Sequence, residues 1–273
     1  MRKYVVSKGK QIGYNEGCIF KNYMKRGILK MKIKLLIPAI GIPETLFAEI
    51  KEFLSSYVDD DCEIDFESLR YGFPSVENEL SGIVNGAQAA VQLHENMDSQ
   101  TQGIIIDCFD DPGVYQCREM LEIPVVGAYQ AAIATALQCA ERIGIVTTDE
   151  PGILNEEKKA RESGYADRIA SIQALDVSVA EIITDRQKVL KALTKLCIKM
   201  ANEDRVSCIC LGCTAMFSIY EELKENLSQA GVTVSVIEPT ANAVLTLQNL
   251  IKMGLSTHIP GSVSFEGFNW IQK

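Results

Sequence analysis

The chain has 273 residues, 47% hydrophobic and 23% charged, with 19 Gly and 8 Pro, proportions that exclude collagen-like, low-complexity and wholly disordered classes. Its net charge is −9, from 36 acidic against 27 basic residues, so it offers no electrostatic footprint for nucleic acid or an anionic membrane. No apolar run approaches the roughly 18–20 residues that span a bilayer, and Met1-Arg2-Lys3-Tyr4 does not open a secretory leader. The expectation is a cytoplasmic protein whose nine cysteines are mostly reduced thiols, an odd count arguing against a disulfide framework.

Residues 1–30 carry eight Lys/Arg and one acid, Glu16. No helical or strand period organises them, so they read as a basic N-terminal extension, with Met31 as the start of the fold. From there apolar, β-branched runs alternate with helical segments. In chain order the pattern predicts strand Ile33–Pro38, then a helix over Pro43–Tyr57 with an apolar stripe at Leu46, Ile50, Phe53 and Leu54. Strand Cys62–Leu69, helix Glu77–Met97, strand Gly103–Cys108, helix Val114–Leu121, strand Val125–Gly127 and helix Ala128–Ala140 complete the first half. The second half reads as strand Arg142–Thr147, helix Pro151–Ser163, a weaker strand near Val177–Ile183 and helix Asp185–Asn202. Strand Val206–Leu211, helix Thr214–Ala230, strand Val232–Ile237 and helix Thr240–Met253 follow, with Gly231 and Gly254 at C-cap positions.

Short buried runs separated by helices indicate parallel strands covered on both faces. The halves run in step: strand starts at Ile33, Gly103 and Ile123 are followed by Ile143, Ser207 and Val232, an offset of roughly 104 to 110 residues. Such a period is too long for a solenoid and fits two similar four-stranded α/β lobes.

Parallel sheets place ligands beyond the carboxyl ends of their strands. There the third strand of each half ends in a cysteine, in Gly103-Ile-Ile-Ile-Asp-Cys108-Phe-Asp-Asp-Pro-Gly113 and in Ser207-Cys-Ile-Cys-Leu-Gly-Cys213-Thr-Ala-Met216. Asp111 is expected as an N-cap and Pro112 as the first helical residue, and Cys213 precedes a second helix. Helix N-termini favour thiolate over thiol, whereas Asp107, Asp110 and Asp111 oppose it at Cys108. Two cysteines at equivalent positions of two lobes can face each other across one cleft. That geometry suits proton exchange at a carbon acid: one thiolate removes a proton from one face and the opposite thiol supplies one to the other. Backbone N–H groups can hold the enolate-like intermediate, so the chemistry needs no cofactor.

Other patterns compete. Cys210-Leu-Gly-Cys213 has the C-x-x-C spacing of a redox pair, against which Cys208 and Cys210 alternate within an apolar strand and read as buried. Cys208, Cys210 and Cys213 lack a nearby His or fourth Cys for zinc. His94 and His258 receive no role, and Gly41, Gly82 and Gly86 fit no phosphate-binding loop. Asp59-Asp60-Asp61 reads as a solvated turn. Two lobes around a cleft would also serve a non-catalytic protein that closes on a small carboxylate.

The two cysteine segments resemble the paired catalytic-cysteine motifs of the aspartate/glutamate/hydantoin racemase superfamily. Cys108-Phe-Asp-Asp-Pro-Gly113 is most like the first motif of its hydantoin racemase branch, and Leu211-Gly-Cys-Thr-Ala-Met216 is similar to the second. Gly72-Phe-Pro-Ser-Val-Glu77, Ile123-Pro-Val-Val-Gly127, Ile145-Val-Thr-Thr148 and Gly254-Leu-Ser256 match lesser stretches, so the likeness runs from Met31 to about His258. The resemblance implies an α/β fold of two pseudo-symmetric lobes, each a mainly parallel four-stranded sheet flanked by helices, with the active site in the interlobe cleft. Residues 31–128 plus about 240–258 would form the first lobe, 129–239 the second, and 259–273 a tail. It further implies cofactor-independent racemisation or epimerisation with Cys108 and Cys213 as the acid/base pair. Ser75, Phe109, Thr147, Thr148, Gly212 and Thr214 would bind the substrate. No metal, no nucleic acid and no membrane partner is expected, and a homo-oligomer is. Two departures bear on the substrate. The loop after the first strand reads Pro38-Ala-Ile-Gly-Ile-Pro43 in place of an Asn-rich binding turn, and Thr-Ala after Cys213 leans toward amino-acid racemases. A hydantoin substrate therefore stands beside aspartate or glutamate, and the altered loop predicts a substrate outside the commonest of these.

Overall fold

The structure, a computed structural model, describes residues 30–259. The basic extension up to residue 29 and the tail from 260 lie outside the described residues. The first half runs β1 (Met31–Ile37), α1 (Glu44–Leu54), β2 (Cys62–Ser68), α2 (Glu79–Asn96), β3 (Gly103–Ile106), α3 (Val114–Met120), β4 (Val125–Gly127) and α4 (Ala128–Cys139). The second half runs β5 (Ile143–Thr147), α5 (Glu150–Glu162), β6 (Ile169–Ala174), α6 (Val179–Thr184), α7 (Arg186–Asn202), β7 (Cys208–Leu211), α8 (Tyr220–Gln229), β8 (Ser235–Ile237) and α9 (Pro239–Met253).

Two four-stranded sheets result, with orders β2-β1-β3-β4 and β6-β5-β7-β8, and every pairing is parallel. The two orders are the same, so the repeat legible in the sequence is a repeat of topology. β3 and β7 occupy equivalent places, each beside the first strand of its sheet. Their residues Ile104, Ile105 and Ile106, and Cys208 through Leu211, are fully buried, as central strands with helices on both faces must be.

α9 follows β8 of the second sheet but lays Ala243, Val244, Leu247 and Ile251 into the core that holds Ile33, Leu35 and Ile105 of the first. α4 divides its faces. Ala131 joins that same core, while Tyr129, Ala132, Ile133 and Ala136 pack with Ile143, Ile145, Cys208 and Cys210 of the second sheet. These two helices tie the lobes together by apolar burial. Among the described residues no helix is long and apolar enough to cross a membrane.

Three local expectations are corrected. The weaker strand expected near Val177–Ile183 is the helix α6. Ser178 accepts from the Glu181 N–H and Glu181 reaches back to the Ser178 N–H, a capping box that outweighs the β-branched composition. The sixth strand is Ile169–Ala174 instead. The helix expected over Thr214–Ala230 opens with a 3-10 segment, Thr214–Ile219, before α8 begins. Asp111 does not cap the helix that follows it. It sits at φ 50°, α3 starts at Val114 behind Gly113, and the Asp111 carboxylate accepts the Tyr129 and Gln130 N–H groups at 2.8 and 3.0 Å. It thus caps α4, from another part of the chain. Gly127 makes this possible, because a Cβ there would meet the Asp111 carboxyl carbon at 2.2 Å.

Candidate active site

A cavity of about 420 Å³ opens where the carboxyl ends of both sheets meet. Its walls come from the segments that follow β1, β3, β5 and β7, the place where parallel sheets gather ligands. Ser75, Cys108, Phe109, Thr147, Thr148, Gly212, Cys213 and Thr214 all line it. Residues from both repeats therefore converge on one chamber.

Cys108 and Cys213 stand at matching positions, two residues beyond the end of β3 and of β7. Each is partly exposed to the cavity. The backbone N–H of Asp110 faces the Cys108 sulfur and that of Ala215 faces the Cys213 sulfur, the same donor two residues on in each lobe. The route to Cys213 is tight: the Gly212 N–H bonds the Val146 carbonyl at 2.7 Å, and a Cβ on Gly212 would come within 2.5 Å of that oxygen.

Burial dominates the electrostatics. It holds the Cys108 thiol well above its usual range, and the Asp110 charge adds to the effect, while the Asp110 N–H and Lys159 oppose it. The Cys213 thiol is pushed up to about 12 by burial first, with Asp107, Asp110 and Glu77 adding and the Ala215 N–H opposing. Helix-terminus stabilisation of thiolate is therefore outweighed. Burial thus favours the neutral thiol at both positions, and a negative charge on Cys213 acts directly on Cys108.

The turn carrying Cys108 is braced from the second lobe by a group the sequence did not disclose. The Lys159 ammonium, on α5, donates to the Phe109 carbonyl and to Asp110 Oδ1 at 2.8 Å each and pairs with Glu156 Oε1 at 2.7 Å. It also lies 4.9 Å from the Phe109 ring centre and 4.5 Å from that of Tyr129. Asn155 Nδ2 donates to the same Asp110 oxygen at 2.8 Å. Lys159 is held charged, above the usual lysine range, by the Glu156 and Asp110 carboxylates despite its burial. Phe109, one of the expected binding residues, is mostly core: it is 3% exposed and packs edge-on against Tyr129. Thr214 turns its hydroxyl across the cleft to the Asp107 carbonyl, at 3.4 Å.

An apolar wall was also not anticipated as part of the site. Ile42, Leu46 and Ile50 supply it from the first lobe, and Val179 and Ile183 from the second. Lys158, which lines the chamber, is engaged with Glu79 at 2.5 Å, and Lys159, outside that lining, is engaged as above. The C-x-x-C pair is split by the fold. Cys210 is buried with Ile143 and Ile145 in the core between sheet and α4, whereas Cys213 lines the cavity, and both are free thiols.

The family model of Asp/Glu/hydantoin racemases matches residues 44–247. Hydantoin racemase of Rhizobium meliloti is 29% identical over 184 residues, 65% of this chain and 74% of that protein. Hydantoin racemase of Paenarthrobacter aurescens is 29% identical over 183 residues, 65% and 75% of the two chains. The fold superposes on allantoin racemase from Klebsiella pneumoniae with a TM-score of 0.78 at 24% identity, covering 88% of this chain and 99% of that one. A glutamate racemase from Bacillus anthracis superposes with a TM-score of 0.58 at 16% identity, covering 84% and 85%.

Proposed function

The chain belongs to the Asp/Glu/hydantoin racemase family and is an isomerase of that racemase class. From that premise we propose that it racemises a neutral cyclic carbon acid of the 5-substituted hydantoin type, with Cys108 and Cys213 as the proton-transferring pair and no cofactor. The observation that carries this reading is the matched pair of thiols in one cavity, each with a backbone N–H two residues on.

In the proposed reaction one sulfur, as thiolate, takes the proton from the substrate carbon. The opposite thiol then delivers a proton to the other face, inverting the centre. Burial favours the neutral thiol at both positions, so the working form, one thiolate beside one thiol, is the minor one, and its thiolate is a strong base suited to an acidic C–H. A hydantoin C5–H, flanked by a carbonyl and a ring nitrogen, is more acidic than the Cα–H of a free amino-acid carboxylate. The lining points the same way. Asp107, Asp110 and Glu77 act on the Cys213 thiol, and Lys158 and Lys159 are already paired with carboxylates, so a substrate carboxylate would meet acidic side chains and no unpaired lysine. The ring N–H groups of a neutral ureide instead find acceptors there. The apolar wall of Ile42, Leu46, Ile50, Val179 and Ile183 suits an apolar ring substituent. Aspartate or glutamate remains the second reading, on the Thr214-Ala215 sequence after Cys213.

In deuterated water a single enantiomer of 5-benzylhydantoin should lose optical activity while gaining deuterium at C5. A non-catalytic binding protein would leave it unlabelled. Cys108→Ala and Cys213→Ala should each lower racemisation by roughly 100- to 10,000-fold, the usual contribution of an acid/base group. Near-native activity in either variant would remove the two-thiol mechanism, and activity confined to glutamate or aspartate would move the chain to the second reading.

A further inference from the structure

The peptide between Phe109 and Asp110 is the middle of a turn. The Asp111 N–H bonds the Cys108 carbonyl at 3.0 Å, so residues 108–111 close a β-turn with Phe109 and Asp110 at its centre. The central peptide is a rigid plane with its C=O and N–H on opposite sides. Its N–H end is that of Asp110, which faces the Cys108 sulfur. Its C=O end is that of Phe109, which accepts from the Lys159 ammonium at 2.8 Å. Lys159 lies outside the chamber lining. A group behind the chamber wall therefore holds one end of the peptide whose other end meets the sulfur.

The second lobe builds the same turn and secures it differently. The Met216 N–H bonds the Cys213 carbonyl at 3.1 Å, and the Ala215 N–H faces the Cys213 sulfur. There the chain runs on into the 3-10 segment Thr214–Ile219, whose successive bonds keep the central peptide facing one way. The first-lobe turn has no such continuation. It stops at Asp111 with φ 50°, and α3 begins only at Val114. A β-turn without further support can rotate its central peptide by about half a turn, which converts type I to type II and needs a positive φ at the third residue. That residue is Asp110, and aspartate tolerates positive φ better than most side chains do. Asp110 is not at positive φ here. The flip would carry its N–H away from Cys108.

We propose that Lys159 is a positioning residue for Cys108: by gripping the Phe109 carbonyl it fixes the central peptide of the turn and keeps the Asp110 N–H on the sulfur when that sulfur becomes a thiolate. The grip is well anchored. The ammonium also binds Glu156 Oε1 at 2.7 Å and Asp110 Oδ1 at 2.8 Å, and the Phe109 and Tyr129 rings lie 4.9 and 4.5 Å from it. With its side chain only 13% exposed, water competes little for those bonds. Two electrostatic effects add to the geometric one. A cation on a carbonyl oxygen polarises the N–H across the same peptide and strengthens its bond to an anion. The ammonium also offsets the Asp110 charge, which disfavours thiolate at Cys108. Because α5 belongs to the second lobe, the reactivity of the first lobe's cysteine depends on a residue of the other.

The role rests on the racemase reading, and a thiol assay tests it separately from that reading. The full-length protein would be labelled with iodoacetamide, without substrate, from about pH 6.5 to 9.5, the range in which thiols ionise. The rates at Cys108 and Cys213 are read individually by peptide mass spectrometry. Lys159→Met should slow labelling of Cys108 at least ~10-fold, the usual worth of a hydrogen bond to a charged group. Cys213, whose turn is held independently, should stay within about twofold of its native rate. Lys159→Arg keeps a cationic donor and should bring Cys108 to within about threefold of native. If the single variant does not fold because Glu156 is left without its cation, Lys159→Met with Glu156→Gln removes both charges together and should show the same split. Equal slowing of both cysteines, as a loosened wall would give, or unchanged labelling of Cys108, would overturn the role. The value of kcat/KM for 5-benzylhydantoin should fall with the Cys108 rate and recover in Lys159→Arg. A native chain that shows the labelling split but does not racemise would overturn the racemase reading alone, and the link from Lys159 to Cys108 would stand.

Discussion

Glu238 and Asp107 are two carboxyls on either side of one threonine hydroxyl. Glu238 is 1% exposed and spends both oxygens on the first N–H groups of α9. Burial nevertheless pushes it up to about 8, and pushes Asp107, Asp111 and Glu156 up to about 7. In the unfolded chain such groups titrate near ~4. The folded protein therefore binds more protons than the unfolded one between about pH 4 and 8, and its stability is greatest below that window and declines as pH rises through it. The melting temperature should fall steadily from pH 5 to pH 8. Glu238→Gln, which keeps an acceptor for the helix start, should flatten that decline. A melting temperature that rises over the same interval would mean that these carboxyls are ionised in the folded state.

At the scale of elements, what the sequence revealed depends on whether the deciding partner is local. β3 and β7 were legible because their runs are continuously apolar, and the cysteines because each ends the same strand of a repeated unit. The Ser178–Glu181 capping box was also written locally, but the β-branched residues around it masked it. β6 was missed because Ile-Ala-Ser-Ile-Gln-Ala is only partly buried, so it lacks the dense apolar signal of a central strand. Asp111 is the opposite case. Asp-Pro obeys the local rule for starting a helix, yet the N–H groups it satisfies lie 18 and 19 residues away. Lys159 and Thr240 reach the site from 49 and 133 residues beyond their partners, so packing alone brings them in. The capping role of Asp111 has a measurable size. Asp111→Ala loses an N-cap worth about 1 kcal/mol, within a range of about 0.5–2 kcal/mol. Denaturant unfolding should show a loss of about 1–2 kcal/mol. A change under 0.5 kcal/mol would mean that α4 does not depend on this cap.

At the scale of the whole molecule the lobes are joined unequally around the cleft. On one side α4 and α9 cross between them through buried apolar contact. On the cavity side, besides the buried contacts of Lys159 and Asn155 with Asp110, the links are ionic and exposed. Lys158 on α5 pairs with Glu79 at the start of α2, and Arg186 at the start of α7 pairs with Glu49 on α1. These side chains are roughly two-fifths to two-thirds exposed, so each pair contributes only about 0.5 kcal/mol and is screened by salt. Such links are too weak to hold the fold together and strong enough to bias the cleft toward closure. Lys158→Ala combined with Arg186→Ala should leave the melting temperature within ~2 °C, because the apolar connections persist. Loss of both pairs is worth about 1 kcal/mol of closure, and KM should rise about fivefold while the single-turnover rate at saturation holds. Raising NaCl to about 0.5 M should raise KM of the native chain in the same direction, since screening removes the same attraction. In the double variant that salt effect should largely vanish. If KM of the variant retains the native salt dependence, the ion pairs do not hold the cleft, and its opening is governed by the buried contacts between the lobes.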